Sequence, residues 1–238
     1  MKNVLVIGAT GDVGQGICGE LMKAGWRVIA AGRAAPKLEA LKSRLAAKGS
    51  LDYVTGDVTS ESGAAAMRDA ALKLAGTLDA VVTTVNPDKG EPMPILQRSA
   101  DELTELLRGN IVAHFVAAKT FIPAIVKGGM YLSIGGGMAD FIVPGMGVAN
   151  VCQAGQRNLL RIVAREARGG PVHIRELLLV SMIAGESNRA KAEPSWLTDE
   201  DCGRHVAAVL AQPDVFAGPI LAVRSREQVG KPEPQPAK

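Results

Sequence analysis

Three glycines spaced three apart, Gly8, Gly11 and Gly14, end the apolar run Val4-Leu-Val-Ile7 and open a helical pattern of Val13, Ile17, Leu21 and Met22. Such a turn can bind an anion. The first N–H groups of a helix have no partner within it, and the helix dipole favours negative charge there. Gly8 can adopt a backbone conformation closed to other residues. Gly11 and Gly14 remove bulk where chain and ligand would touch. A strand before the turn, a helix after it and a second strand where expected make this the pattern that cradles a dinucleotide pyrophosphate, with Thr10 and Val13 in the same turn. An isolated glycine triad would equally suit an ordinary strand-to-helix turn. Asp12 is the awkward residue, because its carboxylate repels a pyrophosphate unless it points into solvent. The first helical turn favours an acid, so an outward Asp12 is expected.

Cofactor choice falls at the end of the second strand, Arg27 to Ala31, followed by Gly32-Arg33. An acid there would bind a ribose 2′-hydroxyl and select NAD. This chain instead has Arg33, with Lys37 close behind. A guanidinium suits a 2′-phosphate, so NADP is expected over NAD.

The elements that must position these groups alternate along the chain. Leu38, Leu41 and Leu45 mark a helix over 35–48, and Leu51 to Thr55 a third strand. Glu61 to Ala75 reads as a helix and Leu78 to Val85 as a strand. Asp101 to Val126 reads as one long helix with a kink near Pro123. Leu103, Leu107, Asn110, His114 and Ala117 share a stripe of it. Further along come a strand over 129–134, a helix over 148–168, a strand over 172–180, a helix over 198–211 and a last strand over 219–223. The polar segment 185–194 reads as a mobile loop. Right-handed crossovers assemble these units into one doubly wound parallel sheet of Rossmann type, a three-layer αβα arrangement in a single domain. That domain is expected over 1–229, with a disordered Pro- and Lys-rich tail over 230–238.

Composition narrows the class. The 238 residues fit one large α/β domain, and aromatic residues make up only 3% of them, so the core must be aliphatic. A net charge of +3, with basic residues spread out, argues against nucleic acid as a partner. Cys18, Cys152 and Cys202 have no metal-ligand spacing and leave one unpaired in any disulfide scheme, so no metal and a reduced, cytoplasmic protein are expected. The opening apolar run is too short for a membrane span and leads straight into the glycine turn. It therefore reads as a strand rather than a signal peptide, and no membrane association is expected.

Taken in order, Gly8-Ala-Thr-Gly11-Asp-Val-Gly14, Ala-Gly-Arg33 with Lys37-Leu38, Gly56-Asp57-Val58, Asp79-Ala-Val-Val-Thr-Thr84, Asn110 and Gly218-Pro-Ile-Leu-Ala-Val223 resemble the short-chain dehydrogenase/reductase superfamily over nearly the whole chain. The resemblance implies an NADP-dependent oxidoreductase with further cofactor contacts at Asp57, Val58, Thr84, Val85 and Asn86. It also implies a homodimer or homotetramer built through the helices that begin near Asp101 and after Gly147.

The family's hydride chemistry rests on a Ser, a Tyr and a Lys, supported by an Asn. The phenol gives a proton to the substrate oxygen, while the ammonium lowers the phenol's pKa and holds the nicotinamide ribose. Here Gln153-Ala-Gly155 resembles the family's Lys-Ala-Gly. That register places Gln153 at the Lys position and Ala149 at the Tyr position, and the Ser position falls within Gly135-Gly136-Gly137. The family's Asn-Asn-Ala-Gly segment reads Thr83-Thr84-Val85-Asn86, and Leu179-Val180 stands in place of its Pro-Gly turn. No Tyr-x-x-x-Lys exists anywhere in the chain, and of the four catalytic positions Asn110 alone keeps its residue.

His114, one helical turn beyond Asn110, is the substitute general acid that the sequence offers, although a lone His on such a stripe is more often a satisfied core residue. Asp140, Cys152, Asn86 and Ser133 are weaker candidates. Gln153 can hydrogen-bond a ribose or simply face solvent. Gly155, costly in mid-helix, implies that a cofactor, a substrate or a neighbouring subunit packs against it. Pro92 to Leu96 suggest an apolar cleft wall. These features fit an NADP-dependent reductase of a small carbonyl or conjugated C=C substrate. They also fit a catalytically inactive NADP(H) sensor, or a lyase or isomerase on the same fold.

Overall fold

The alternating patterns become one parallel sheet in the computed structural model, which describes residues 1–86 and 92–233. Its strands are β1 (Asn3–Ile7), β2 (Arg27–Gly32), β3 (Leu51–Thr55), β4 (Leu78–Thr83), β5 (Ile125–Gly136) and β6 (His173–Leu179), with β9 (Ile220–Val223) at one edge. They lie in the order β3-β2-β1-β4-β5-β6-β9, and every pairing is parallel.

Both faces are covered, which is why the strands read as continuous apolar runs. Val4, Val6, Val28 and Ala30 enter a core with α1 (Asp12–Lys23), α2 (Ala35–Leu45) and α7 (Asp199–Ala211). Their neighbours Leu5, Ile7, Ile29 and Ala31 enter a second core with α3 (Glu61–Ala75), α5 (Ala113–Phe121) and α6 (Gly147–Glu166). The chain winds outward from β1 to β3 and then returns to β4 on the other side of β1. That reversal opens a crevice at the carboxyl ends of β1 and β4, the place where such sheets bind ligands.

The single long helix expected over 101–126 is in fact three pieces. α4 (Ala100–Leu107) leads into a π-helical turn, Arg108–Val112, and α5 then ends at Phe121. Pro123 lies in a short 3₁₀ turn between α5 and β5, so it ends the helix instead of kinking it. β5 accordingly starts at Ile125, with an irregularity in its pairing to β4 before Met130.

The segment expected to be a mobile loop is braced on both sides. β7 (Ile183–Ala184) pairs with β8 (Leu197–Thr198). Between them, the Asn188 side chain accepts the Gly185 N–H and donates to the Ile183 carbonyl, each at 2.9 Å. In the terminal segment, the Gly230 N–H donates to His205 Nδ1 and Arg224 pairs with Glu233. The remainder of the expected tail, 234–238, lies outside the described residues.

Candidate cofactor and substrate site

The turn after β1 is built for close approach. Gly8 has φ +82°, a left-handed conformation that only glycine adopts without strain. The Gly8 and Ala9 N–H groups donate to the Ala31 carbonyl at 3.0 and 3.2 Å, which ties the turn to β2. A Cβ on Gly14 would overlap the Gly8 carbonyl oxygen and lie 2.8 Å from Ala9 Cα. Gly14 therefore makes room for the chain itself, whereas the exposed Gly11 leaves room for a ligand. The Val13 and Gly14 N–H groups at the helix start have no acceptor among the described residues. They are the donors a phosphate would take.

Asp12 does not point into solvent as expected. Its carboxylate accepts the Ser187 N–H at 3.1 Å and also the Ser187 hydroxyl. The acid is thus turned onto the 185–194 segment. Its favourable position at the helix N-terminus is kept.

Gly8, Thr10, Gly11, Arg33, Asp57, Val58, Thr84, Val85 and Asn86 all line one groove of about 210 Å³. Thr84 Oγ1 donates to the carbonyls of Ile7 and Gly8 at 3.2 and 3.1 Å, fastening the end of β4 to the turn. Asp57 Oδ1 accepts the Thr59 N–H at 2.9 Å. Arg33 and Lys37 are exposed, and Arg33 makes no ion pair among the described residues. The guanidinium lining this groove is thus free to take an anion.

Thr84, Val85 and Asn86 also border a second cavity of about 510 Å³, together with Val13. Its polar side chains include four neutral amides, Asn86, Asn110, Gln153 and Gln156. No Tyr, Lys, His or carboxylate lines it among the described residues. The π-helical turn delivers Asn110, which is 1% exposed and whose Oδ1 has no donor among the described residues. π-bulges recur at functional sites because they aim a side chain that a regular helix would rotate away.

Gln153 lines this cleft, and its Oε1 accepts the Met138 N–H at 2.9 Å. A Cβ on Gly136 would lie 2.7 Å from that oxygen, so the glycine run makes room for the amide. Asn150 donates to the carbonyls of Met138 and Phe141, and Arg157 pairs with Asp140 at 2.7 Å. Residues 150, 153 and 157 share one face of α6 and together pin the 136–141 segment. Ala149 is half-buried and not part of the cleft lining, and Cys152 is buried with its thiol 4.0 Å from the Leu106 carbonyl. The group that packs against Gly155 is Ile111 of the π-turn, whose Cδ1 would lie 2.6 Å from a Cβ there. Neither a ligand nor a second subunit is needed to explain that glycine.

His114 does not face the cleft. It is fully buried, and both ring nitrogens are engaged, Nε2 with the Val85 carbonyl at 3.0 Å and Nδ1 with Ser133 Oγ at 3.1 Å. Gln156 Nε2 donates to the same hydroxyl at 3.1 Å. A neutral ring satisfies this chain, with Nε2–H donating to Val85 and Nδ1 accepting from Ser133. Burial pushes the His114 pKa down to about 4, which removes it as a general acid at neutral pH. The ring and Ser133 instead hold the Val85 carbonyl at the wall shared by the two cavities.

Sequence reading missed Gln156 and Glu176. The signal for Glu176 was an acid in the apolar run of β6. Its side chain lies under Gly135, on the α6 side of the sheet, at 0% exposure. Neither carboxylate oxygen has a hydrogen-bond donor among the described residues. Burial pushes its pKa up to about 7, partly offset by the Arg157 guanidinium. The folded chain therefore holds a proton that the unfolded chain releases above its ordinary value of 4.5. Stability from this group falls as pH rises between those values, by up to about 1.4 kcal/mol per pH unit.

Buried His114 and His205, both pushed down to about 4, act with the opposite sign and lose stability as pH falls below 6.5. Asp199, raised by burial and by Glu200, acts in the same direction as Glu176. The difference between wild type and Glu176→Gln isolates the one group. Urea unfolding across this pH range is expected to show wild-type stability dropping relative to the variant as pH rises. A flat difference would show that the carboxyl is not protonated in the fold.

The protein-family model for short chain dehydrogenase matches residues 2–176. No curated protein matches the chain in sequence. Solved structures that share the fold include a doubly substituted variant of a Serratia marcescens short-chain dehydrogenase/reductase, at 20% identity and TM-score 0.83, covering 94% of this chain and 97% of that one. A short-chain type dehydrogenase/reductase from Mycobacterium ulcerans is 20% identical with TM-score 0.83, over 98% and 92%. An alcohol dehydrogenase from the archaeon Thermococcus sibiricus, complexed with 5-hydroxy-NADP, is 21% identical with TM-score 0.80, over 94% and 97%. No helix among the described residues is long and apolar enough to cross a membrane.

Proposed function

We propose, from the premise that the chain belongs to the short-chain dehydrogenase family, that it is an NADP(H)-dependent reductase of a carbonyl or conjugated C=C substrate with neutral amides in its cleft. The observation that carries this reading is a cleft of amides and apolar walls that shares Thr84, Val85 and Asn86 with the groove of Arg33 and the glycine turn. The residues fit a dinucleotide. Val13 and Gly14 N–H groups would hold the pyrophosphate, Arg33 a 2′-phosphate, and Val85 and Asn86 the nicotinamide half. The Thermococcus sibiricus protein with its 5-hydroxy-NADP lends support to the choice of NADP.

When bound, reduced NADP supplies a hydride. This chain's own residues bind the substrate and donate hydrogen bonds to it. The side-chain N–H groups of Asn110 and Gln153 would stabilise an oxygen on which negative charge develops. Reduction of a conjugated C=C bond suits them best. An enolate needs donors at its oxygen, and its carbon can take a proton from water. A carbonyl reduced to an alcohol needs a stronger acid at that same oxygen.

NADPH oxidation with an enone panel and an aldehyde panel tests the reading. The expected result is turnover with enones, lowered about 100-fold by Asn110→Ala. The described lining residues include no acid or base, which favours one second reading, an NADP(H) sensor. NADPH binding without turnover on either panel would select it.

Exposed Val112 and Phe115 at α5, with Val151 and Ile162 on α6, give those helices apolar outer surfaces. Together with the family's habit, they support a homodimer or homotetramer. Sedimentation equilibrium is expected to give a multiple of the 24.8 kDa chain mass, and a monomer at micromolar concentration would contradict it.

A further inference from the structure

The cleft is unusual in what it leaves out. None of its described lining residues carries a charge. An ionic substrate entering it would lose its hydration without gaining a counter-charge from the described lining residues, which is unfavourable. One wall segment is supplied by Met138, Phe141 and Val143 and another by Val180, Met182 and Ile183. The first wall is a built surface, because Asn150, Gln153 and Arg157 hold its backbone and flank from α6.

Some of these apolar side chains are also open to solvent. Phe141 is 55% exposed, Met182 59% and the adjoining Ile142 92%. Apolar side chains that line a cleft and are also open to solvent mark a surface that meets apolar matter. The deep end offers the opposite chemistry, because the side-chain N–H groups of Asn110 and Gln153 have no acceptor among the described residues, Gln153 Oε1 being the atom that binds the Met138 N–H.

We infer that the substrate is an uncharged ketone or enone carrying a hydrocarbon chain or ring. Its carbonyl end meets the amides of Asn110 and Gln153. Its hydrocarbon lies along Met138, Phe141, Val143 and Met182, and its far end projects over the rim. This inference rests on the proposed function for the identity of the polar end. The side chains at 138, 141, 143 and 182 are the residues that determine specificity.

The test titrates the full chain with methyl ketones from butan-2-one to decan-2-one, and with the α-keto acid matching each chain length, both with and without NADP⁺. NADPH binding is measured separately by its fluorescence. The expected result is a Kd that falls about three- to fourfold per added methylene until the cleft is filled. Each α-keto acid is expected to bind at least about tenfold more weakly than its neutral counterpart. Val143→Asp is expected to weaken decan-2-one by at least about tenfold while NADPH binding persists, which also shows that the variant folds. A keto acid that binds as well as its ketone, or a Kd indifferent to chain length, overturns the inference. If NADPH fails to bind while the ketone series behaves as expected, the cofactor reading falls and the substrate class stands.

Discussion

Gly14→Ala is expected to weaken NADPH binding by about 100-fold, the size of effect produced when a site is displaced by about an ångström. The cause is the chain's own backbone. The added methyl would overlap the Gly8 carbonyl oxygen and crowd Ala9 Cα, and neither atom belongs to a side chain that can swing aside. The turn must open, and the Val13 and Gly14 N–H groups then lose their common aim. The strain should also lower stability by about 1–3 kcal/mol. Gly11→Ala is the control, because a Cβ there meets only the Gly8 oxygen, at 3.5 Å. It should leave stability near wild type and reduce affinity solely through the ligand's approach. Calorimetric titration and urea unfolding of the two variants read both effects. Wild-type affinity in Gly14→Ala would show that the pyrophosphate does not rest on this turn.

Arg33→Ala should separate the two nicotinamide dinucleotides. A guanidinium facing a 2′-phosphate makes charge-assisted hydrogen bonds worth about 1.5–3 kcal/mol, or roughly tenfold to a hundredfold in Kd. NADPH is expected to lose that factor, while NADH, which has a hydroxyl at that position, changes little. Arg33 is exposed, so raising the ionic strength should shrink the NADPH advantage in wild type and leave the variant nearly insensitive. Adding Lys37→Ala should deepen the loss by a smaller amount, because an ammonium acts as a point charge without the bidentate fork. Equal losses for NADPH and NADH would mean that Arg33 contacts something other than the 2′ position.

The fold was legible because it depends on periodicities that short windows carry. β3 (Leu51–Thr55) and α3 (Glu61–Ala75) run where their patterns place them, and the glycine turn sits between a strand and a helix as its spacing requires. The misreadings share a physical cause. Nothing local in Arg108–Val112 announces a π-turn, because it is stabilised by Ile111 seating against Gly155, about forty residues away along the chain. His114 looked like an acid because a stripe gives direction but no depth. Only the Val85 carbonyl and Ser133 hydroxyl show that its ring is enclosed and neutral. Asp12 looked solvated because Ser187, its partner, comes from a segment too polar to suggest a fixed course. Gln153 was legible as a replacement for a charged residue. Its hydrogen bond to the Met138 N–H, which holds the cleft wall, was not.

The most direct test is a calorimetric titration of the wild-type chain with NADPH and with NADH at low ionic strength. The expected result is one site per chain with NADPH bound at least about tenfold more tightly. Binding of neither nucleotide, or NADH bound as tightly as NADPH, would contradict a dinucleotide site formed by the glycine turn and Arg33.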